Sequence, residues 1–264
     1  MPATASRTKS ANSRRPRPSS RTKPIDPPSN YWNASQLPLT SLLFVLPLLA
    51  LHEVGIHRFA TLPGRVVEYR ITAFALLTRF FHACGASGRY LPALAVVAIL
   101  LSWHIARNDR WVFNIPLLPL MLLESLAWAA PLVGVYFLMS RGGPTYLGGG
   151  EWKLLASLYL GAGVYEELIF RLGAISLLSL LLMDLGRLSA TVATPLIVAI
   201  SAATFSGYHM LGMGHIPWQA FVFIALRGVY YAIIFLERGF GLSVGVHTAY
   251  DLLFLTLREV NGAS

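Results

Sequence analysis

Residues 161–175 read GAGVYEELIFRLGAI, and two adjacent carboxylates, Glu166 and Glu167, share this otherwise apolar run with one guanidinium, Arg171. The flanks are LLASLYL (154–160) and SLLSLLLM (176–183). A charge at membrane depth costs from about 3 to more than 10 kcal/mol, and such charges persist mainly where they pair or do chemistry. The stretch therefore reads as a membrane-embedded helix that carries a site.

The whole chain supports that environment. Of its 264 residues 55% are hydrophobic and only 12% charged, where a soluble domain carries about a quarter charged residues. Apolar stretches recur with lengths near the ~20 residues needed to cross a hydrocarbon core of ~30 Å. Strand-like alternation is nowhere sustained over the ~10 residues that a membrane β-barrel needs per crossing. The predicted fold class is all-α, a polytopic transmembrane helical bundle of about eight apolar segments. The single cysteine, Cys84, excludes an intrachain disulfide and a cysteine-only metal site. It is expected to be a small packing residue.

Residues 1–36 stand apart. ASRTKSANSRRPRPSSRTKPIDPPSN (5–30) is rich in Ser, Pro and basic residues, and is expected to be disordered. Seven basic residues against Asp26 supply +6 of the formal net charge of +9. The positive-inside bias assigns this tail to the cytoplasm, where it can touch anionic lipid. That topogenic reading is preferred to a nucleic-acid arm, and no nucleic-acid partner is expected. SRRPRP is a poor twin-arginine signal, and no cleavable signal peptide is evident.

Apolar segments follow at 37–56, 69–84, 89–106, 113–139, 152–184, 189–208, 217–236 and 240–257. The second has basic residues on one face and suits the membrane interface. The glycine-rich stretch SRGGPTYLGGGEW (140–152) reads as a turn. Segment 152–184 is too long for one upright crossing at ~1.5 Å per residue, so it tilts, breaks near Gly173 or passes into a second helix. The domain organisation expected is a basic tail (1–36), N-terminal helices (37–150), a chemistry-bearing helical core (151–258) and a C-terminal tail (259–264).

Three polar islands occupy that core. In the first, Glu167 and Arg171 are four apart on a helix and can pair, whereas Glu166 points about 140° away from Arg171 and stays free of that pair. The second is TFSGYHMLGMGHIP (204–217), where Phe205 and His209 share a face. His215, beside Pro217, suits a helix entrance at the interface. The third is GVHTAYDLLF (245–254), where His247 and Asp251 are again four apart. An acid one turn along can orient an imidazole and fix its tautomer. Read alone, each island has a structural alternative: shared ion pairing, a packed histidine, a helix cross-link. Together they offer a carboxylate, two imidazoles and a further acid for activating water at membrane depth. Burial favours the protonated form of a carboxylate, which brings such a group toward neutrality and suits general-base work. Histidines and a polar partner can hold the water or the developing oxyanion.

At these residues the sequence resembles the CAAX prenyl protease and bacteriocin-processing (CPBP, or Abi) family of intramembrane endopeptidases. That family's signature is two glutamates, three residues and an arginine, then Phe-x-x-x-His, then His-x-x-x-Asn or Asp. Here the three read EELIFR (166–171), FSGYH (205–209) and HTAYD (247–251), in that order. The resemblance spans about residues 150–258 and implies a peptidase acting on a membrane-associated or leader-bearing protein or peptide. By it, Glu166 activates water, Glu167 and Arg171 support it, His209 holds water or substrate, and His247 and Asp251 serve the oxyanion. Ionised aspartate is acceptor-only, so Asp251 is expected to act by orienting His247. The resemblance implies either a glutamic-type or a metal-dependent peptidase. No cofactor is expected, the alternative being zinc on Glu166, His209 and His247 with water in the fourth position. HEVGIH (52–57) has one residue too many for a zinc-binding His-Glu-x-x-His, so its match is taken as chance.

Two other classes use similar residues. A proton- or ion-coupled transporter relies on intramembrane Glu, Asp and His, although no symmetry between halves is evident. A non-catalytic membrane scaffold is the other. The expected location is a bacterial inner membrane with a cytoplasmic N-terminus, with the endoplasmic reticulum as the alternative.

Overall fold

The computed structural model describes residues 30–59, 61–62, 65–66, 71–139, 152–211 and 216–262. Most of the basic tail, the turn at 140–151, and Gly212, Gly214 and His215 lie outside the described residues. The described chain is mostly helical, with short irregular connections and a two-residue antiparallel ladder, Thr61–Leu62 against Arg65–Val66. The packed part begins before residue 37: Tyr31–Ala34 forms a short helix, α1, capped where the Asn30 side chain accepts the Asn33 N–H at 3.0 Å.

Eight apolar segments are present. They are α2 (Pro38–Phe59), α3 (Thr72–Ala83), α4 (Leu91–Arg107), α5 (Leu118–Met139), the continuous stretch Trp152–Leu185, α8 (Ala190–His209) and the two halves of α9 (Trp218–Gly262). Among the described residues five helices are long and apolar enough to cross a bilayer, and the chain is an integral membrane protein. Many large apolar side chains point outward, among them Leu123, Leu138, Val192 and Leu226. In lipid this is the expected surface rather than a liability. At 12 residues, α3 spans about 18 Å and is too short to cross. Cys84 caps its C-terminus and is exposed, so it is not the packing residue expected.

Trp152–Leu185 does not break at Gly173. It runs as α6 (Trp152–Glu167), a π turn (Leu168–Gly173), α7 (Ala174–Ser179) and a second π turn (Leu180–Leu185). In the first π turn the Ala174 N–H reaches back five residues to the Ile169 carbonyl. The neighbouring Phe170 carbonyl accepts the Ser201 hydroxyl of α8 at 2.7 Å. Segments 217–236 and 240–257 are joined in α9, which turns at Gly239 with φ 79°. A side chain at such a φ is strained, and glycine is not. The helix then continues to Gly262, into the stretch expected to be a tail.

Helix α9 is the hub, packing on α2, α5, α6 and α8, while α2 packs on α6. Helices in lipid gain little from hydrophobicity alone, and small residues let their backbones approach. Gly163 is such a contact: a β-carbon there would overlap the Thr248 hydroxyl of α9. It lies one turn from Glu166 and Glu167, and Thr248 is next to His247, so this approach joins two of the islands.

A second charged cluster ties the N-terminal helices to the core. Arg238 binds Glu124 of α5 through two bonds of 2.7 and 2.8 Å, and donates to the Trp32 carbonyl at 2.8 Å. Its guanidinium lies 3.7 Å over the Trp32 ring. The Tyr31 hydroxyl donates to Glu124. Burial, reinforced by that carboxylate, pushes the Tyr31 phenol well above its ordinary pKa, so it remains a donor at neutral pH.

Candidate active site

The three islands converge. Glu166 and Glu167 come from the end of α6, His209 from the end of α8, and His247 and Asp251 from the second half of α9. Glu166, Glu167, Arg171 and His247 are all buried, His209 is half-buried, and Asp251 lies at the edge of burial.

The adjacent glutamates have different surroundings. Glu167 is paired as the spacing predicts, with its Oε2 3.3 Å from Arg171 Nε. It also accepts from His247 Nδ1 at 2.8 Å and from the Ser243 hydroxyl. Arg171 is held over the Phe205 ring at 4.3 Å, and its Nη2 reaches the Gly228 carbonyl at 3.4 Å. Glu166 faces the other way, into a cavity of about 310 Å³ whose walls include His209, Arg227, His247, Tyr250 and Asp251. Its Oε1 accepts from the Tyr208 hydroxyl at 3.2 Å. Its Oε2 is buried without a hydrogen-bond partner. That atom faces His209 Nε2 at 3.6 Å and His247 Nε2 at 3.7 Å. Both gaps exceed a hydrogen bond and leave room for a small molecule among three polar atoms.

Each imidazole is fixed from behind. His209 Nδ1 donates to the Phe205 carbonyl at 2.9 Å, and its ring meets the Phe205 ring at 4.6 Å, as the i,i+4 spacing predicts. His247 is stacked on Tyr231 at 4.5 Å. The group that orients it differs from expectation. Asp251 was expected to hold its tautomer, but the Nδ1 bond goes to Glu167, and Asp251 Oδ2 lies 3.5 Å from Nε2 on the cavity side. Two carboxylates are within reach of one ring, and the one with the shorter contact is 80 residues away in sequence.

Several participants were not singled out. Arg227 lines the cavity, with Nη2 3.9 Å from Asp251 Oδ1 and its guanidinium 4.4 Å over Tyr250. Tyr208 and Ser243 were missed as well. Arg227 is a lone charge in an apolar run, without the neighbouring charges that drew attention to Glu166. Tyr208 and Ser243 carry no such signal. The HEVGIH near-match does not converge: His52 is buried with Nδ1 2.7 Å from the Ser157 carbonyl, while His57 is exposed.

A family model described as Type II CAAX prenyl endopeptidase Rce1-like matches residues 149–253. This segment is a CPBP-family domain. It contains all three motifs and the charged and imidazole groups of the cavity wall, while Tyr136 and Phe254 of that wall lie outside it. No curated protein and no solved structure gives a significant match to the chain. Membership of the CPBP family supports an intramembrane protease as the general function of the domain.

Proposed function

We propose that the CPBP domain is an endopeptidase in which Glu166 activates a water molecule held among Glu166, His209 and His247. The observation that carries this reading is the buried Glu166 Oε2, unpartnered and facing two imidazole nitrogens at 3.6 and 3.7 Å. A water in that space donates to Glu166 and to one imidazole. Glu166 takes its proton as the oxygen attacks the scissile carbonyl carbon, and the carbonyl oxygen becomes an oxyanion. Collapse breaks the C–N bond, and the proton held on Glu166 passes to the leaving nitrogen. One peptide bond and one water give an acid and an amine. Glu167, with Arg171 and Ser243 behind it, fixes the His247 ring.

Carboxylate and imidazole are metal-ligand types, and Glu166, His209 and His247 are the residues that would hold a zinc ion, which would supply a more acidic water. The proton transfers above need only the chain's own groups, and we take the reaction as metal-free. Full activity after dialysis against a chelator is the expected result; loss with the chelator and return with zinc overturns it.

The substrate is a membrane-associated or leader-bearing protein or peptide, cleaved near the lipid surface or within it. A bacterial inner membrane with the basic tail on the cytoplasmic side, against anionic lipid, is the setting we propose. The test uses the full chain in lipid nanodiscs with a quenched fluorescent farnesylated CAAX peptide. Membrane proteomes of cells carrying wild type or Glu166→Gln identify the natural target. Glu166→Gln is expected to insert normally and lose cleavage, with an uncut protein accumulating in cells. Equal cleavage by Glu166→Gln and wild type removes Glu166 from the chemistry. Proton-driven flux that depends on Glu166, without cleavage, replaces the protease by a transporter.

A further inference from the structure

The oxyanion formed on peptide hydrolysis needs hydrogen-bond donors about 2.7–3.1 Å away. Among the polar groups on the cavity wall, Glu166, Asp251 and the two imidazoles present acceptors, whereas Arg227 and the phenols of Tyr136, Tyr159 and Tyr250 carry donors, of which only Arg227 is charged. Ionised Glu166 and Asp251 accept only. His209 and His247 each direct Nδ1 at an acceptor, the Phe205 carbonyl at 2.9 Å and the Glu167 carboxylate at 2.8 Å. In the neutral rings the proton is therefore on Nδ1, and Nε2 offers a lone pair to the cavity.

Arg227 is the permanent cation among the described residues lining that space. Guanidinium presents five N–H donors in a planar fork and acts as a donor only. Its Nε has no hydrogen-bond partner. Asp251 lies 3.9 Å from Nη2, close enough to hold the charge in place but beyond hydrogen-bond reach. The Tyr250 ring supports the guanidinium face at 4.4 Å. Arg227 belongs to the first half of α9, and Asp251 and Tyr250 to the second, so the contact spans the turn at Gly239.

We propose that Arg227 is the anion-binding donor of this site, contacting the oxyanion of the tetrahedral intermediate, and that Asp251 is its positioning residue. The inference rests on the endopeptidase reading. It gives the Asp251 position a role that an acceptor-only side chain can fill.

The test uses the full chain in lipid nanodiscs and two probes. One is the farnesylated fluorescent peptide; the other is the same peptide with a phosphinate in place of the scissile amide, an anionic tetrahedral mimic. Arg227→Gln is expected to lower kcat about 10²–10³-fold, the usual effect of removing one oxyanion donor, with KM little changed. It also loses the tighter binding of phosphinate over parent peptide that wild type and Glu166→Gln show. The double variant Arg227→Gln/Asp251→Asn is expected to regain part of kcat, because the amide at 251 supplies an N–H donor. Should Arg227→Gln fail to fold, Arg227→Lys keeps the charge without the fork and is expected to lower kcat at unchanged KM. Wild-type kcat in the Arg227 variants, or equal phosphinate affinity with and without Arg227, overturns the proposal. If wild type cleaves no more than Glu166→Gln, the endopeptidase reading fails on its own. The phosphinate measurement still decides whether Arg227 binds a tetrahedral anion.

Discussion

Glu167 accepts from His247 and Ser243 and faces Arg171, whereas the Oε2 atom of Glu166 meets no hydrogen-bond donor. Neighbours in the chain are thus divided between scaffolding and chemistry. Glu167→Gln replaces an acceptor by an amide that can donate toward Nδ1 and turn His247 into the other tautomer, with N–H pointing at Glu166. Steady-state kinetics should show kcat lowered by up to about 10⁴-fold, the drop seen when an orienting carboxylate is neutralised, with helical content unchanged by circular dichroism. Near-normal kcat would mean that the 2.8 Å bond does not set the tautomer. At this scale the sequence was readable where pattern sufficed: Glu167–Arg171 and Phe205–His209 are turn-spaced partners and meet as spaced. Arg227 and Glu124 were equally visible as lone charges in apolar runs, but neither sits in a cluster. Tyr208 meets its partner across 42 residues and Ser243 across 76, and one sequence holds no trace of such pairings. Turn spacing says that His247 and Asp251 can meet, and they do, but it does not say which of two carboxylates takes the Nδ1 bond.

Between helices, the closest constraint near the site is Gly163 against Thr248. Gly163→Ala puts a methyl group where the Thr248 hydroxyl lies, and overpacking of this kind costs about 1–3 kcal/mol. The α6–α9 gap should widen, separating Glu166 and Glu167 from His247. Both thermal stability in detergent and cleavage are expected to fall, and Thr248→Ala in the same chain should restore part of each. A Gly163→Ala protein with unaltered stability and rate would show that the approach is not limiting. Helix existence was evident from apolar run length, and all eight segments are present. Their joints were not. The Trp152–Leu185 stretch absorbs its excess length in π turns rather than a break, and α9 turns at a single glycine, because backbone detours of one residue leave hydrophobicity profiles unchanged.

Over the whole molecule, the Arg238–Glu124 pair ties α1 and α5 to the turn of α9. Removing one member strands the other: Arg238→Met leaves a largely buried carboxylate, for which about 3–5 kcal/mol is the usual penalty. Thermal unfolding should show this loss, and Arg238→Met/Glu124→Leu should recover most of it. A single variant as stable as wild type would mean that water reaches Glu124. Composition alone established the membrane class, since so few charges in so apolar a chain leave no other solvent. The role of residues 37–139 was not legible, because nothing in their sequence says that α2 braces α6 or that α5 lies along α9.

The π turn beside the glutamates holds one residue more than an ordinary helical turn. Deleting a residue such as Leu172 would let that turn close as α-helix while both flanks kept their rotational phase, so the bundle would still assemble. Phe170 would then return its carbonyl to its own helix and release Ser201, and Arg171 would move off its perch above Phe205. A shortened chain of that kind would thread the bilayer normally yet carry a detuned centre.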